Sequence, residues 1–341
     1  MKDKHTQTIQ QVVIENLSNV DTAWKKQVPV LKKRNYIVDK SVSVGGDAPK
    51  EFIKVYEYGR VKRNNTGKWT AYIAKFGHKW HPIESITEHL MNCIGQVLGL
   101  DMAQSQLAIL SNQLFFLSEY FFDNKRFELV HGVDIYAGYV YDRDLVEEIE
   151  NKALAREFFI FQFAQQAILK MFPDQASELI DNFVKLLFFD AIVGNNDRHF
   201  YNWAILRHIE NKKSPIFAPI FDTARGLFWN DNEQKIEDWL KHPKELDQKI
   251  AKYAKNSMPK TGWEGEKNLN HFQLAQKVYE SDTRFKAILD DLLKQEQENN
   301  VIQLIDTEFK QLLSEKRRAL IKACIKHRFK ILRSFNQTPT L

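Results

Sequence analysis

The sequence predicts an α+β fold in two lobes, a small β-rich N-terminal lobe followed by a mostly helical C-terminal lobe. Between residues 35 and 120 the apolar residues alternate or form short runs bounded by Gly, Asn and Pro, the pattern of strands joined by tight turns. From Tyr141 the apolar period lengthens to that of helices, over 144–169, 174–193, 234–240, 244–255, 272–295 and 301–334. A chain of 341 residues is long for one core and short for two independent enzymes, which favours a two-lobed unit with a ligand cleft between the lobes. The expected division is an N-terminal extension over 1–34, an N-lobe over 35–120 and a helical C-lobe over 121–341.

Composition excludes several classes. The chain is 43% hydrophobic and 27% charged, ordinary for a globular protein, and its 24 Phe supply a large aromatic core. Cys93 and Cys324 are too few and too far apart for a disulfide framework or a structural zinc site, which fits a reducing cytosol. Polar residues follow Met1, and the apolar stretches around Phe158 and Phe188 are interrupted by charge before membrane-spanning length, so a soluble cytoplasmic protein with no membrane partner is expected. A net charge of +5 suits nucleotides or acidic partners and is too small to imply direct DNA binding.

Residues 1–34 are polar and basic around Val12-Val13-Ile14 and read as a partly solvated extension. Strands follow at 36–38, 41–44 and 52–58, the last two separated by Gly45-Gly46-Asp47-Ala48-Pro49-Lys50. A glycine loop between strands lets backbone N–H groups approach phosphates, although Gly45 and Gly46 serve a plain hairpin equally well. After a hairpin turn at Asn64-Asn65-Thr66-Gly67, the strand over 69–75 ends in Lys75. The next helix, 84–98, carries Glu88 and stops at Gly99. A strand lysine paired with a glutamate of the following helix is how protein kinases orient nucleotide phosphates. Lys75 and Glu88 fit that pair, with Lys79 and Glu84 as competing choices. Strands at 107–110 and 114–121 end at Glu119-Tyr120-Phe121, an interlobe crossing that offers backbone groups and apolar walls to an adenine.

The C-lobe carries the most informative stretch. An apolar helix over 183–193 ends at Gly194, and Gly194-Asn195-Asn196-Asp197-Arg198-His199-Phe200-Tyr201-Asn202 follows. Asp197 and Asn202 stand five apart, the spacing at which a carboxylate takes the proton of an attacking hydroxyl while an amide oxygen reaches a Mg²⁺ on ATP. A strand at 203–206, a polar turn and a return strand at 216–221 would bring Asp222 beside Asn202 as the main metal carboxylate. The plain alternative is a helix end running into a polar loop, with Asp197 as a cap and Asn202 in a turn. Three oxygen-bearing residues at template spacing with apolar flanks weigh against it. In the final helix Arg318, Lys322, Lys326 and Lys330 recur every four residues, a solvated face or a basic interaction surface.

Taken in order, Ser43 with Gly46 and Pro49-Lys50, then Lys75, Glu88, Gly194-Asn195-Asn196-Asp197 with His199 and Asn202, and Pro219-Ile220-Phe221-Asp222 resemble the HipA-like toxin kinases. These are bacterial serine/threonine kinases of toxin-antitoxin systems, with a bilobal fold distantly similar to phosphoinositide kinases. The likeness runs from about Ser41 to Asp222. Phe221 stands where the family has tyrosine, and Ala48 where its glycine loop usually has glutamine. The resemblance implies ATP and Mg²⁺ as cofactors, with Asp197, Asn202 and Asp222 catalytic and Asn202 and Asp222 on the metal. It implies Ser43, Gly45, Gly46, Lys50, Lys75, Glu88, Glu119, Tyr120, Phe121 and His199 around the nucleotide, and autophosphorylation at Ser43, with Ser41 second. Implied partners are a small helix-turn-helix antitoxin, through which alone DNA would be reached, and a protein substrate such as an aminoacyl-tRNA synthetase. Family members of the two-component type have a sizeable subdomain before the kinase core; this chain resembles the short, kinase-core type. Two rival classes share parts of the pattern: a lipid or small-molecule kinase of phosphoinositide-kinase-like fold, and a catalytically silent binding module.

Overall fold

The computed structural model describes residues 9, 13–20, 26–42, 50–77, 79, 81–152 and 154–336. Its first half is built on one curled sheet. Strands β1 (Val30–Leu31), β2 (Tyr36–Val38), β3 (Lys50–Val55) and β4 (Thr70–Phe76) precede helix α1 (Glu84–Val97), and β5 (Ser105–Leu110) and β6 (Gln113–Glu119) follow it. The six strands lie in the order β1-β5-β6-β4-β3-β2, all antiparallel except the β1–β5 pair. Alternation sorts their side chains between two faces. Ala108, Leu110, Phe115 and Leu117 join Tyr36, Ile53, Tyr72 and Ala74 inside the curl. Their neighbours Leu107, Ile109, Leu114 and Phe116 face α1, in a core that continues without a break into the helical half.

That second half starts with β7 (Phe127–His131) and helices α2 (Gly132–Val140), α3 (Arg143–Asn151), α4 (Ala155–Phe158), α5 (Phe161–Met171) and α6 (Ala176–Val193). Strands β8 (Ala204–His208) and β9 (Ile216–Phe217) complete a three-stranded sheet with β7. Helices α7 (Glu233–Lys241), α8 (Pro243–Asn256), α9 (His271–Ser281), α10 (Thr283–Leu292), α11 (Gln295–Thr307) and α12 (Glu315–Arg333) close the fold. Among the described residues no helix is long and apolar enough to cross a membrane.

The mixed α+β class expected from the sequence is the one observed, with differences at specific elements. The helix expected over 272–295 is two, because the Asp282 side chain accepts the Arg284 N–H and starts α10 afresh. Ser314 restarts the chain in the same way at α12, dividing the helix expected over 301–334. The helix over 144–169 is three short ones, α3 to α5. Strand β7 and helix α2 lie where no element is expected. In the segment read as a strand at 41–44, Ser41 instead sits in a turn closed by its N–H and Oγ on Asp39 Oδ1, at 3.1 and 2.6 Å, and residues 43–49 lie outside the described residues.

Residues 15–18 connect the two halves. The N–H groups of Glu15 and Asn16 donate to Lys79 O, and Ser18 Oγ lies 2.8 Å from His81 Nδ1, both in the connection that leads into α1. On the other side Ser18 O accepts the Glu233 N–H at 2.9 Å, and Asn232 Nδ2 donates to Leu17 O at 2.8 Å. Asn232 is also the cap of α7, its Oδ1 accepting from Gln234 N. Asn232→Ala should therefore lower stability by about 1–2 kcal/mol in urea unfolding. Asn232→Asp, which keeps the cap acceptor and loses only the donor to Leu17, should cost less.

Candidate active site

The site is assembled around the C-terminal end of α6. Gly194 ends the helix in the left-handed region, φ 70°, its N–H on Asp190 O at 2.8 Å. A side chain there would be strained in backbone and would press on the Arg328 guanidinium, 3.0 Å from the position of a Cβ. One turn earlier, in an otherwise apolar run, Asp190 is 1% exposed. A buried carboxylate needs partners, and it has three bonds: Arg198 Nε at 3.0 Å, Arg198 Nη2 at 3.2 Å and Asn195 Nδ2 at 2.9 Å.

The rest of the Arg198 fork is spent on two loops. Nη1 donates to Asn202 O at 2.7 Å and to Phe221 O at 2.6 Å, and Nη2 donates to Thr223 Oγ1 at 2.8 Å. One guanidinium thus holds Asn202 and the residues flanking Asp222 to the same anchor. Asp197 is fixed between them through its backbone: Asn195 Oδ1 accepts its N–H, and its carbonyl accepts Asn202 Nδ2 at 2.7 Å and the His199 N–H at 2.9 Å. Its carboxylate stays partly exposed and faces Arg225 Nη1 at 3.6 Å. His199 is folded back on the loop, Nδ1 accepting the Tyr201 N–H. Beneath the loop, Asn196 Oδ1 accepts Ser257 Oγ and Met258 N, both at 2.9 Å, and Arg328 Nε donates to Ala191 O near the end of α6.

The sheet supplies the opposing side. Lys50 and Lys75 are direct cross-strand neighbours on β3 and β4, so both side chains leave the sheet on one face. Lys75 Nζ lies 2.6 Å from Glu88 Oε1 and 2.5 Å from Asp222 Oδ1, and Lys50 Nζ lies 3.3 Å from Asp222 Oδ2. Two ammonium and two carboxylate groups make a largely buried cluster with no net charge when all four are ionised. Burial opposes charge on Asp222, Lys75 and Glu88. At Asp222 the two lysines outweigh it and hold the carboxyl well below the usual range. Burial also works against the Lys75 ammonium, but Asp222 and Glu88 prevail and raise it. At Glu88 burial wins over Lys75, with Asp222 adding repulsion, and pushes the carboxyl up to about 7. Asp222 is therefore the stronger anion of the pair. Lys79, the competing lysine, pairs with Glu15 at 3.2 Å instead, and Glu84 lies in the first turn of α1.

At the crossing between halves, Glu119 N donates to Gln104 O and Tyr120 N to Ala71 O. The Tyr120 ring meets Phe52 edge-on at 5.2 Å, and Phe121 lies 6.0 Å from Phe221, next to Asp222. Ser43, Gly45 and Gly46 lie outside the described residues; Ser41 is exposed in the turn before them. Of the sequence candidates, the structure thus gathers Lys50, Lys75, Glu88 and Asp222 in one cluster and ties Asp197 and Asn202 to it. Asp190, Asn195, Arg198 and Arg225 were assigned no role from the sequence. A lone acid in the apolar run Phe188-Phe189-Asp190-Ala191-Ile192 was the available signal.

Residues 42–299 match the HipA-like C-terminal domain family. The chain belongs to that family. Among solved structures, the Helicobacter pylori proinflammatory kinase CtkA matches with a TM-score of 0.67 at 17% identity, covering 88% of this chain and 96% of CtkA. HipA from the Shewanella oneidensis MR-1 toxin-antitoxin complex with HipB and operator DNA matches with a TM-score of 0.50 at 15% identity, covering 86% of this chain and 64% of HipA. At such identities the likeness establishes the fold, which is that of the HipA-like kinases. No curated protein matches the sequence.

The Asp190–Arg198 pair sets the first test of this site. Removing one partner of a buried pair leaves an uncompensated charge, which typically costs about 3–5 kcal/mol. Asp190→Asn should lower stability by an amount of that order in chemical denaturation, whereas Asp197→Asn, at a partly exposed carboxylate, should change it little.

Proposed function

We propose that this HipA-like chain is an ATP-dependent serine/threonine protein kinase, with its nucleotide site between the sheet and the α6 end. The observation that carries the reading is that Lys75 meets both Glu88 and Asp222 while Arg198 holds Asn202, whose amide binds Asp197 O, and the carbonyl of Phe221, next to the same Asp222. Lys75 and Lys50 would receive the phosphates, Glu88 would retain Lys75, and Glu119-Tyr120-Phe121 would border the adenine, with the glycine loop at Ser43, Gly45 and Gly46 over the phosphates and His199 near them. Asp197 would orient the acceptor hydroxyl and take its proton.

The donor set fits Mg²⁺, a hard cation held by a few oxygens plus phosphate and water. Asp222 is kept ionised by its lysines. Asn202 has its Nδ2 engaged on Asp197 O, which leaves the amide oxygen as its metal donor. Among the described residues no group of three or more His, Cys, Asp or Glu gathers as a metal site, so phosphate and water would complete the shell around Asn202 and Asp222. When bound, Mg²⁺ would neutralise charge on the β- and γ-phosphates. Incoming phosphates also give Lys75 and Lys50 new anions, freeing the Asp222 carboxylate they hold.

Further properties rest on the family. The chain would act in the cytoplasm as a toxin restrained by a small helix-turn-helix antitoxin; HipA itself is seen in a toxin-antitoxin complex with HipB and operator DNA. It would phosphorylate a protein such as an aminoacyl-tRNA synthetase, and itself at Ser43 or, second, Ser41. Phosphoserine at Ser43 would bring about −1.5 to −2 charges to the phosphate donors and oppose nucleotide binding.

Asp197→Asn should reduce phosphoryl transfer from labelled ATP by about 10²–10⁴-fold with modest loss of Mg·ATP affinity. Asp222→Ala should weaken Mg·ATP binding itself in calorimetry; wild-type rates in both variants would refute the assignment. Mass spectrometry should find phosphate on Ser43 in the active protein and none in Asp197→Asn. In cells, the wild type should slow growth relative to Asp197→Asn, and equal growth would count against a toxin.

A further inference from the structure

Arg225 lies in a segment whose backbone is costly to build. Asp222, Arg225, Leu227 and Phe228 all have left-handed φ, 55°, 59°, 51° and 59°, a region disfavoured for residues with a Cβ. Gly226, between them, has no room for a side chain: a Cβ would lie 2.7 Å from Val193 O and 2.7 Å from Met91 Sδ. Surrounding groups enforce this course. Arg198 holds Thr223 Oγ1, Asn196 Nδ2 donates to Arg225 O at 3.4 Å, and Tyr253 Oη accepts the Phe228 N–H at 3.0 Å. From α12 the buried Arg317 donates to Phe228 O at 2.9 Å and to Asp231 O at 2.6 Å.

The product of all this is one guanidinium beside Asp197, with the Arg225 side chain 46% exposed and Nη1 3.6 Å from Asp197 Oδ1. An ion pair that exposed contributes less than the strain of the residue that carries it, so stability does not account for its placement. The placement is accounted for if the guanidinium has a second anion to move to.

We infer that Arg225 is a catalytic residue whose guanidinium passes from Asp197 to the transferred phosphoryl group as the reaction proceeds. The inference rests on the kinase reading above. The acceptor hydroxyl oxygen forms the new bond to the γ-phosphorus, and its proton goes to Asp197. The bond from the γ-phosphorus to the bridging oxygen breaks, and its electron pair leaves with ADP. The planar fork of Arg225 can bind two non-bridging phosphoryl oxygens at once, and leaving Asp197 frees that carboxylate for the proton.

The deciding variant is Arg225→Gly, which keeps the left-handed backbone and relieves its strain while removing the whole side chain, guanidinium included, so that rescue by added guanidinium ion isolates the part the guanidinium plays. With Mg·ATP as probe and self-phosphorylation and ATP hydrolysis as readouts, maximal turnover should fall by about 10³-fold, the lower end of what an arginine at the transferred group supplies. The KM for ATP and the unfolding temperature should stay near wild type. Added guanidinium ion should restore part of the rate, and Arg225→Lys, which keeps charge without the fork, should be intermediate. An active wild type with an unimpaired Arg225→Gly variant would overturn this role alone. A loss that guanidinium does not restore would assign the effect to the backbone and overturn it as well. A wild type that transfers no phosphoryl group would overturn the kinase reading and this role together.

Discussion

The buried ion pair between Asp190 and Arg198 is the constraint on which the site depends. Desolvating an aspartate and an arginine is expensive, and such a pair adds little net stability compared with an apolar packing of the same volume. Its value lies in geometry. A guanidinium fixed on a helical carboxylate has donors left over in a rigid plane, and here they reach Asn202 O, Phe221 O and Thr223 Oγ1. Two loops about twenty residues apart in sequence are thereby referred to one point on the most buried helix of the fold. A hydrophobic contact at the same place would hold them together without fixing the direction of either.

The lysine cluster obeys a different logic. Asp190 and Arg198 are sealed, whereas the set formed by Lys50, Lys75, Glu88 and Asp222 is open to solvent at Asp222, whose side chain is 21% exposed. Each carboxylate is ionised to a different extent because each sees a different balance of burial and ammonium charge, Glu88 with one lysine and Asp222 with two. On the kinase reading, a polyanion entering this cluster would meet ammonium groups held on one face of the sheet and would displace Asp222, the more exposed of the two carboxylates.

How much of this could be read from the chain depends on whether local pattern or tertiary contact decides. The strand ending at Lys75 and the helix carrying Glu88 follow from period and turn residues, and those residues do meet. Asp197, Asn202 and Asp222 were singled out by spacing, apolar flanks and an expected hairpin, and Arg198 joins Asn202 O to Phe221 O beside Asp222. Arg198 sits in the same loop but carries no local sign of being buried, because its partner is a helical aspartate that pattern reads as a polar interruption. The same holds for Arg317 and Arg328 on α12, both with no exposed surface. Their α12 neighbours Arg318 and Lys322 reach Asp306 of α11, so no arginine on that helix could be sorted into core or surface by spacing. Helix boundaries failed for a related reason: Asp282 and Ser314 restart helices inside runs whose apolar period continues across the break.

The core is continuous from the sheet to the α6 end. Helix α1 packs one side on β5 and β6 and the other on α11, and its Met91 touches the place where Gly226 abuts Val193. Glu88 is one turn from Met91 on that helix. A shift of α1 would therefore move the partner of Lys75 and, by direct contact, the segment that carries Arg225. Residues 15–18 tie the approach to α1 to the start of α7, and α7 packs on α12, whose Arg317 clamps the far end of the same segment. The two routes converge on residues 222–231 from opposite sides. A segment strained at four positions is thus held along its length, by Arg198 at Thr223, Asn196 at Arg225, Tyr253 and Arg317 at Phe228, and Arg317 again at Asp231.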